Sequence, residues 1–346
     1  MERHLRRPSE KKSVRDNIKT VNAPFLAIED LHVHFNTYAG TVRAVNGVSF
    51  EIRSGEMFGL VGESGCGKTV TGLAIMRAIP SPGRIMKGRI FFQGEDLITK
   101  SESEMRDIRG GRIAMIFQDP TASLNPVFTV GYQISLQITQ HQHINKKEAR
   151  QLALDMFAEV GLPHPESILH SYPHELSGGM QQRVMIAMGL ASGAELLIAD
   201  EPSTSLDVTI QAQILSLLSN LREREGLTIL LITHDLGVVA ETCDRVAVTY
   251  DGHIVESGTV DNVLYQTKHP YTQGLLAALP DTLRHKQSLE VIKGSVPDGL
   301  HSVSGCSFHP RCPKVMDICL DQPPSLIIVG DEGHSAACYL YMEETA

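Results

Sequence analysis

The apolar positions of this chain follow two rhythms, and the points where one gives way to the other hold most of its chemistry. Between Leu26 and about Glu51 the rhythm is that of half-buried strands, with Leu31, Val33 and Phe35 flanking His32 and His34. Short continuous runs follow at Met57–Val61, Gly88–Phe92, Arg112–Phe117, Leu196–Ala199 and Leu227–Thr233; all read as strands, and those ending at Asp200 and Thr233 as parallel strands of a buried core. Helical spacing appears at Val70–Ile79, over a helix-rich stretch at about 125–180, and at Met180–Leu190. The clearest helix spans Lys146–Val160, with Ala149, Leu152, Met156 and Val160 on one face and Gly161 as its stop.

Where the Met57–Val61 strand meets its helix lies Gly62-Glu63-Ser64-Gly65-Cys66-Gly67-Lys68-Thr69. The spacing G-x-x-x-x-G-K-[ST] between strand and helix is that of a phosphate-binding loop. Glycines let the backbone N–H groups converge on phosphate oxygens, and the helix N-terminus adds partial positive charge. Lys68 can reach the β- and γ-phosphates, and the Thr69 hydroxyl can ligate Mg²⁺. Asp200 and Glu201 close the Leu196–Ala199 strand, which places an acid for Mg²⁺ beside a second carboxylate suited to general-base work. His234 closes the Leu227–Thr233 run. Leu176-Ser177-Gly178-Gly179-Met180 precedes another helix, about 110 residues after the phosphate loop. A serine cap with two glycines is common by itself, but bare N–H groups at a helix start also form an anion site.

In this order the motifs resemble those of ATP-binding cassette (ABC) ATPases, over most of the chain. The resemblance implies a P-loop ABC ATPase fold of the α/β class. A RecA-like parallel-sheet core would carry an antiparallel β subdomain and a helical signature subdomain. It also implies roles. Glu201 would polarise the attacking water, His234 would contact the γ-phosphate, and Gln118, in Ile116-Phe-Gln-Asp-Pro120, would sense Mg²⁺ and water. Lys68, Gln118, Glu201 and His234 are thus the expected catalytic residues, with Thr69, Gln118 and Asp200 as the Mg²⁺ set. Thr204-Ser-Leu-Asp207 matches the D-loop, with Ser205 where alanine is commoner, and Tyr38 is the candidate to stack on adenine, with Phe35 as the alternative. Ser177, Gly178 and Gly179 would clasp the γ-phosphate of ATP held by a partner subunit, so function would require a head-to-tail dimer.

The C-terminal stretch narrows the resemblance. His269-Pro-Tyr-Thr-Gln-Gly-Leu-Leu-Ala-Ala-Leu-Pro280 and Gly305-Cys-Ser-Phe-His-Pro-Arg-Cys-Pro313 are similar to segments of dipeptide and oligopeptide importer ATPases of the D type. Nickel importers are close relatives. Such subunits pair with a second ATPase, two membrane-spanning permeases and, indirectly, a solute-binding protein. Four of the six cysteines, at 306, 312, 319 and 338, fall in this small Cys-rich extension, with spacings unlike the C-x2-C of zinc sites or a ferredoxin run. Clustered thiols suggest metal ligation where disulfides are rare. The family resemblance implies a [4Fe-4S] cluster, with Zn²⁺ as the alternative. The segment is expected to lack a strong apolar core, so that a metal would supply its cross-links.

Composition sets the outer bounds. Hydrophobic content of 42% supports a sizeable core. No apolar run approaches the roughly 18 residues that cross a bilayer, and the N-terminus lacks the apolar segment of a signal peptide. The expected compartment is therefore the cytosol, and the resemblance implies a peripheral place on the cytoplasmic face of the membrane. The first 20 residues carry seven Lys/Arg against three acids, so the rest is more acidic than the overall charge of −9. An acidic body argues against a nucleic-acid partner. The expected division is a basic tail at 1–24, a nucleotide-binding domain at 25–260 and a C-terminal extension at 261–346.

Overall fold

A computed structural model describes residues 23–202, 207–278, 292–297, 299–300 and 303–342. Residues 1–22 of the basic N-terminal tail and Thr204–Leu206 of the expected D-loop lie outside the described residues. The strand-period region forms a long hairpin, β1 (Leu26–Thr37) and β2 (Gly40–Ile52). β3 (Met57–Val61) runs straight into α1 (Lys68–Ile75). β4 (Gly83–Phe92) and β5 (Glu95–Asp96) return to the hairpin, so that the antiparallel sheet has the order β2-β1-β4-β5. α2 (Glu102–Ile108) starts with a capping box, Ser101 with Glu104, and leads to β6 (Ile113–Ile116).

The helical insert holds α3 (Pro120–Ser123), α4 (Val130–Gln142), α5 (Lys146–Glu159), α6 (Pro165–Ile168) and α7 (Gly178–Ala191). Helix α5 is where the periodicity put it, and Gly161 has the positive φ of a helix stop. Its buried stripe is shifted, however. Ala149, Ala153, Phe157 and Val160 are fully buried, while Leu152 and Met156 are only partly so. The reason is the neighbour: α5 packs between α4 and α7, and small Ala149 and Ala153 allow close approach.

From α7 the chain enters β7 (Leu196–Asp200), α8 (Val208–Glu225), β8 (Thr228–Thr233), α9 (Leu236–Thr242), β9 (Arg245–Tyr250) and β10 (His253–Thr259). Strands β9, β3, β8, β7 and β6 are parallel neighbours in that order. Every residue of β3, β7 and β8 is buried, as continuous apolar runs require in a sheet covered on both faces. Beyond them come α10 (Val260–Tyr265), α11 (Pro270–Ala277), α12 (Ile318–Asp321), β11 (Ile327–Ile328) and β12 (Ser335–Ala336).

The C-terminal extension continues the core sheet, because β12 pairs with β10 and β11 pairs with β12. It also has apolar support, contrary to expectation. Phe308 is buried against Tyr250 and Tyr271, with ring centroids 5.2 and 5.3 Å away, in a cluster that includes Val61 and Val248. Below it, the buried Glu256 carboxylate lies 2.9 Å from His334 and accepts from the N–H groups of Lys268 and His269. Three aromatic rings and one buried polar knot fasten the extension to the sheet.

Candidate nucleotide site

Parallel strands gather their C-terminal ends along one edge, and loops leaving those ends converge there. β3 delivers the phosphate loop, β6 delivers Gln118, β7 ends in Asp200, and β8 is followed by His234. The cleft where they meet, of about 590 Å³, is lined by Lys68, Thr69, Gln118, Glu201 and His234, with Ala44 and Leu275 as apolar walls, and Asp200 is buried behind Thr69.

The loop closes tightly. Gly67 has φ +93°, and a Cβ there would lie 2.1 Å from the Ala44 carbonyl oxygen. Gly62 is equally constrained, with the Thr249 carbonyl 2.2 Å from a Cβ position. Only glycine fits where β2 and β9 press on the loop from outside. The Lys68 ammonium is buried and donates to the carbonyls of Gly62 and Glu63 at 2.8 and 2.9 Å. Gly65 and Ser64 line the cleft, whereas the Cys66 side chain points away from it, buried with its sulfur 2.9 Å from the Thr249 hydroxyl. Cys66 can therefore serve a nucleotide through its backbone alone.

The Thr69 hydroxyl donates to Asp200 at 3.1 Å. Burial pushes the Asp200 carboxyl above the usual range, and the neighbouring Glu201 pushes the same way, while Thr69 and Lys68 oppose. Two oxygen donors at 3.1 Å, one of them a carboxylate short of positive charge, fit Mg²⁺. Glu201 is held at both oxygens. Gln118 donates its amide N–H to Oε2 at 3.0 Å, and the His234 Nδ1 lies 3.1 Å from Oε1. Glu201 itself has φ +46°, a left-handed conformation that costs a non-glycine residue energy. Its N–H is tied to the Ile232 carbonyl at 2.8 Å, which keeps the carboxylate aimed into the cleft.

The other expected residues lie elsewhere. Ser177 caps α7, its hydroxyl accepting from the Met180 N–H, and Ser177, Gly178 and Gly179 are not among the residues lining the cleft. Asp207 caps α8, accepting from the Ile210 N–H at 3.0 Å. Tyr38 stands fully exposed in the two-residue turn between β1 and β2 and does not line the cleft, while Phe35 packs against the antiparallel-sheet core. Ala44, Val70 and Leu275 were not anticipated. Nothing in an alanine or a leucine advertises a nucleotide wall, and Leu275 arrives from helix α11.

The four C-terminal cysteines are reduced and come together, since the thiols at 319, 312 and 338 all act on Cys306, which burial raises to about 11. The Cys306 N–H donates to the Cys319 carbonyl at 2.8 Å. Among the described residues, however, no three His, Cys, Asp or Glu side chains are arranged to hold a single metal ion. The side chains as placed thus form no site for a metal ion, neither for the expected [4Fe-4S] cluster nor for the alternative Zn²⁺. Burial favours neutral thiols here, and the Cys312 sulfur accepts from the Lys314 N–H instead.

Comparison with known proteins agrees with this geometry. A family model described as ABC transporter matches residues 45–204, and one described as oligopeptide/dipeptide transporter, C-terminal region, matches residues 255–319. The probable peptide ABC transporter ATP-binding protein y4tR of Sinorhizobium fredii is 50% identical, over 91% of this chain and 94% of that protein. The dipeptide transport ATP-binding protein DppD of Escherichia coli is 47% identical over 92% and 97%. The oligopeptide transport ATP-binding protein AppD of Bacillus subtilis is 48% identical over 93% and 98%. Among solved structures, the dimeric post-hydrolysis cassette MJ0796 bound to ADP and Pi superposes with a TM-score of 0.62, at 25% identity, over 68% of this chain and 98% of that one. The chain therefore belongs to the ABC transporter ATP-binding proteins, in the branch that carries the oligopeptide/dipeptide transporter C-terminal region.

Proposed function

We propose that this chain is the ATP-hydrolysing subunit that powers import of dipeptides or oligopeptides through a membrane permease complex. What carries the reading is the meeting of Lys68, Thr69, Asp200, Gln118, Glu201 and His234 at one sheet edge, in a chain whose C-terminal region is of the peptide-transporter type. Loop N–H groups and Lys68 hold the β- and γ-phosphates, Lys68 exchanging two carbonyls for phosphate oxygens. Thr69 and Asp200, with Gln118, would hold Mg²⁺, which when bound neutralises charge on the transferring phosphoryl group. Glu201, steadied by Gln118 and His234, accepts the proton of the attacking water.

The rest of the reading concerns partners. Ser177, Gly178 and Gly179 lie outside their own chain's cleft, which supports a head-to-tail pair with a second ATPase. Tyr38 remains the candidate for adenine, reached by a shift of its exposed turn. Val127, Phe128, Tyr132 and Leu136 form an exposed apolar patch in the segment after Gln118, suited to a cytoplasmic helix of a permease. No helix among the described residues is long and apolar enough to cross a membrane, so the membrane-spanning work falls to such permeases. The subunit would sit peripherally on the cytoplasmic face, with a solute-binding protein delivering peptide from outside. Residues 25–260 would act as the nucleotide-binding domain and 261–346 as the extension.

The convergent thiols of Cys306, Cys312, Cys319 and Cys338 support one [4Fe-4S] cluster. Protein purified anaerobically should contain about four iron and four sulfide per chain; one zinc, or no metal, overturns that assignment. For transport, cells lacking this chain should lose peptide uptake and regain it with the wild type but not with Glu201→Gln. Restored nickel uptake without peptide uptake would reject the peptide reading.

A further inference from the structure

Glu63 lies inside the phosphate loop, yet its side chain is gripped from the C-terminal extension. Arg311 donates from Nη1 to Oε2 at 2.7 Å and from Nη2 to Oε1 at 3.1 Å. The two residues stand 248 positions apart. The Arg311 side chain is only 5% exposed. Its Nε donates to the Lys293 carbonyl at 3.0 Å, and its guanidinium lies 5.7 Å from the centre of the Tyr250 ring. A second grip reaches the same residue, because the Glu63 N–H donates to the Tyr271 hydroxyl at 2.9 Å. A third reaches β2, where the Arg43 N–H donates to the Gly299 carbonyl at 3.0 Å, one residue from the cleft wall at Ala44.

We propose that Arg311 is a positioning residue for ATP, acting through Glu63. It fixes the first turn of the phosphate loop and cancels a carboxylate that would otherwise confront the phosphates. The sign follows from Coulomb's law. Glu63 lines the cleft, and a bare carboxylate there repels a nucleotide that carries several negative charges. A planar guanidinium engages both carboxylate oxygens and stays charged when buried, whereas a lysine ammonium offers a single point charge that burial neutralises more readily. The nucleotide affinity of the cassette is thereby set in part by the extension that distinguishes this branch.

The test is a double-mutant cycle on the full-length chain, reading the Kd of ATP by titration with a fluorescent ATP analogue and competition by ATP. Arg311→Met, tested with Glu63 in place, should weaken ATP binding about tenfold, equivalent to about 1.4 kcal/mol. In a Glu63→Gln background the same substitution should cost under about threefold, since no carboxylate is left to expose. Arg311→Lys should fall between, and serves if Arg311→Met misfolds by its nucleotide-free melting temperature. An equal loss in both backgrounds would assign Arg311 to holding the extension alone. No loss in either would overturn the proposal outright.

Discussion

Two helices of this chain begin with glycines and a polar residue, and their starts are built for opposite conditions. At α1 the capping position is Gly67 in a left-handed conformation, with no side chain to satisfy the first N–H groups. Those donors stay available for phosphate, and around them stand a buried lysine, a metal-type oxygen pair and a steadied carboxylate. At α7 the capping residue is Ser177, whose own hydroxyl takes the Met180 N–H at 3.4 Å, and both Ser177 and Gly178 are exposed. On the function proposed above, the first helix start would hold ATP for cleavage and the second would complete a site supplied by a partner ATPase, so that one chain would be half of two sites.

The largest effect expected from breaking this asymmetry is at α1. Lys68→Ala removes the ammonium and leaves the Gly62 and Glu63 carbonyls without their donor. ATP binding to the isolated chain should become undetectable in a titration that gives a clear endpoint for the wild type. Glu201→Gln comes next. It keeps a hydrogen-bonding group between Gln118 and His234 but loses the base, which should lower the turnover of the assembled complex by about 10²–10⁴. ATP affinity should persist, and the nucleotide-bound dimer should accumulate on size-exclusion chromatography. Near-normal turnover would move the base elsewhere.

The α7 start permits a sharper probe. Gly178 is exposed, has ordinary backbone angles and opens a 14-residue helix, so an aspartate there suits the helix dipole and should leave folding intact. The same charge repels a γ-phosphate offered by a partner. Gly178→Asp should therefore keep ATP binding and melting temperature in the isolated chain. Hydrolysis by the assembled complex should drop at least about tenfold, equivalent to about 1.4 kcal/mol. If hydrolysis survives, α7 is not a phosphate clasp.

These contrasts also show what the sequence made legible. Lys68, Asp200, Glu201 and His234 were visible because each closes or follows a buried strand, and strand runs are the plainest pattern in the chain. Gln118, which follows β6, was named only through the resemblance to ABC ATPases, as was the γ-phosphate role of His234. The walls were not. Ala44 and Leu275 arrive from elements far away in sequence, and Gly67 is required by a carbonyl on β2 that no local pattern announces. The extension was misjudged in a similar way. Read alone, its prolines and small polar residues suggested a segment needing a metal for cohesion. Phe308, Arg311 and His334 make sense only against Tyr250, Glu63 and Glu256 of the core. Pairings of this kind lie beyond periodicity, which reports what a residue faces and not which partner waits there.

The smallest expected effect is at Asp207, and it tests whether the segment joining the two half-sites carries charge chemistry or only a helix start. The Asp207 carboxylate accepts from the Ile210 N–H and caps the 18-residue α8. Asp207→Ala loses that cap and should cost about 1 kcal/mol of stability, read as a small drop in melting temperature of the isolated chain. Asparagine caps helices as well as aspartate does, so Asp207→Asn should restore the melting temperature. The two substitutions together separate cap from charge. If Asp207 serves only α8, the asparagine variant also restores ATP hydrolysis in the assembled complex. If hydrolysis stays low while the melting temperature recovers, the carboxylate acts across the interface between the two ATPases, and the D-loop resemblance extends to a function for its charge.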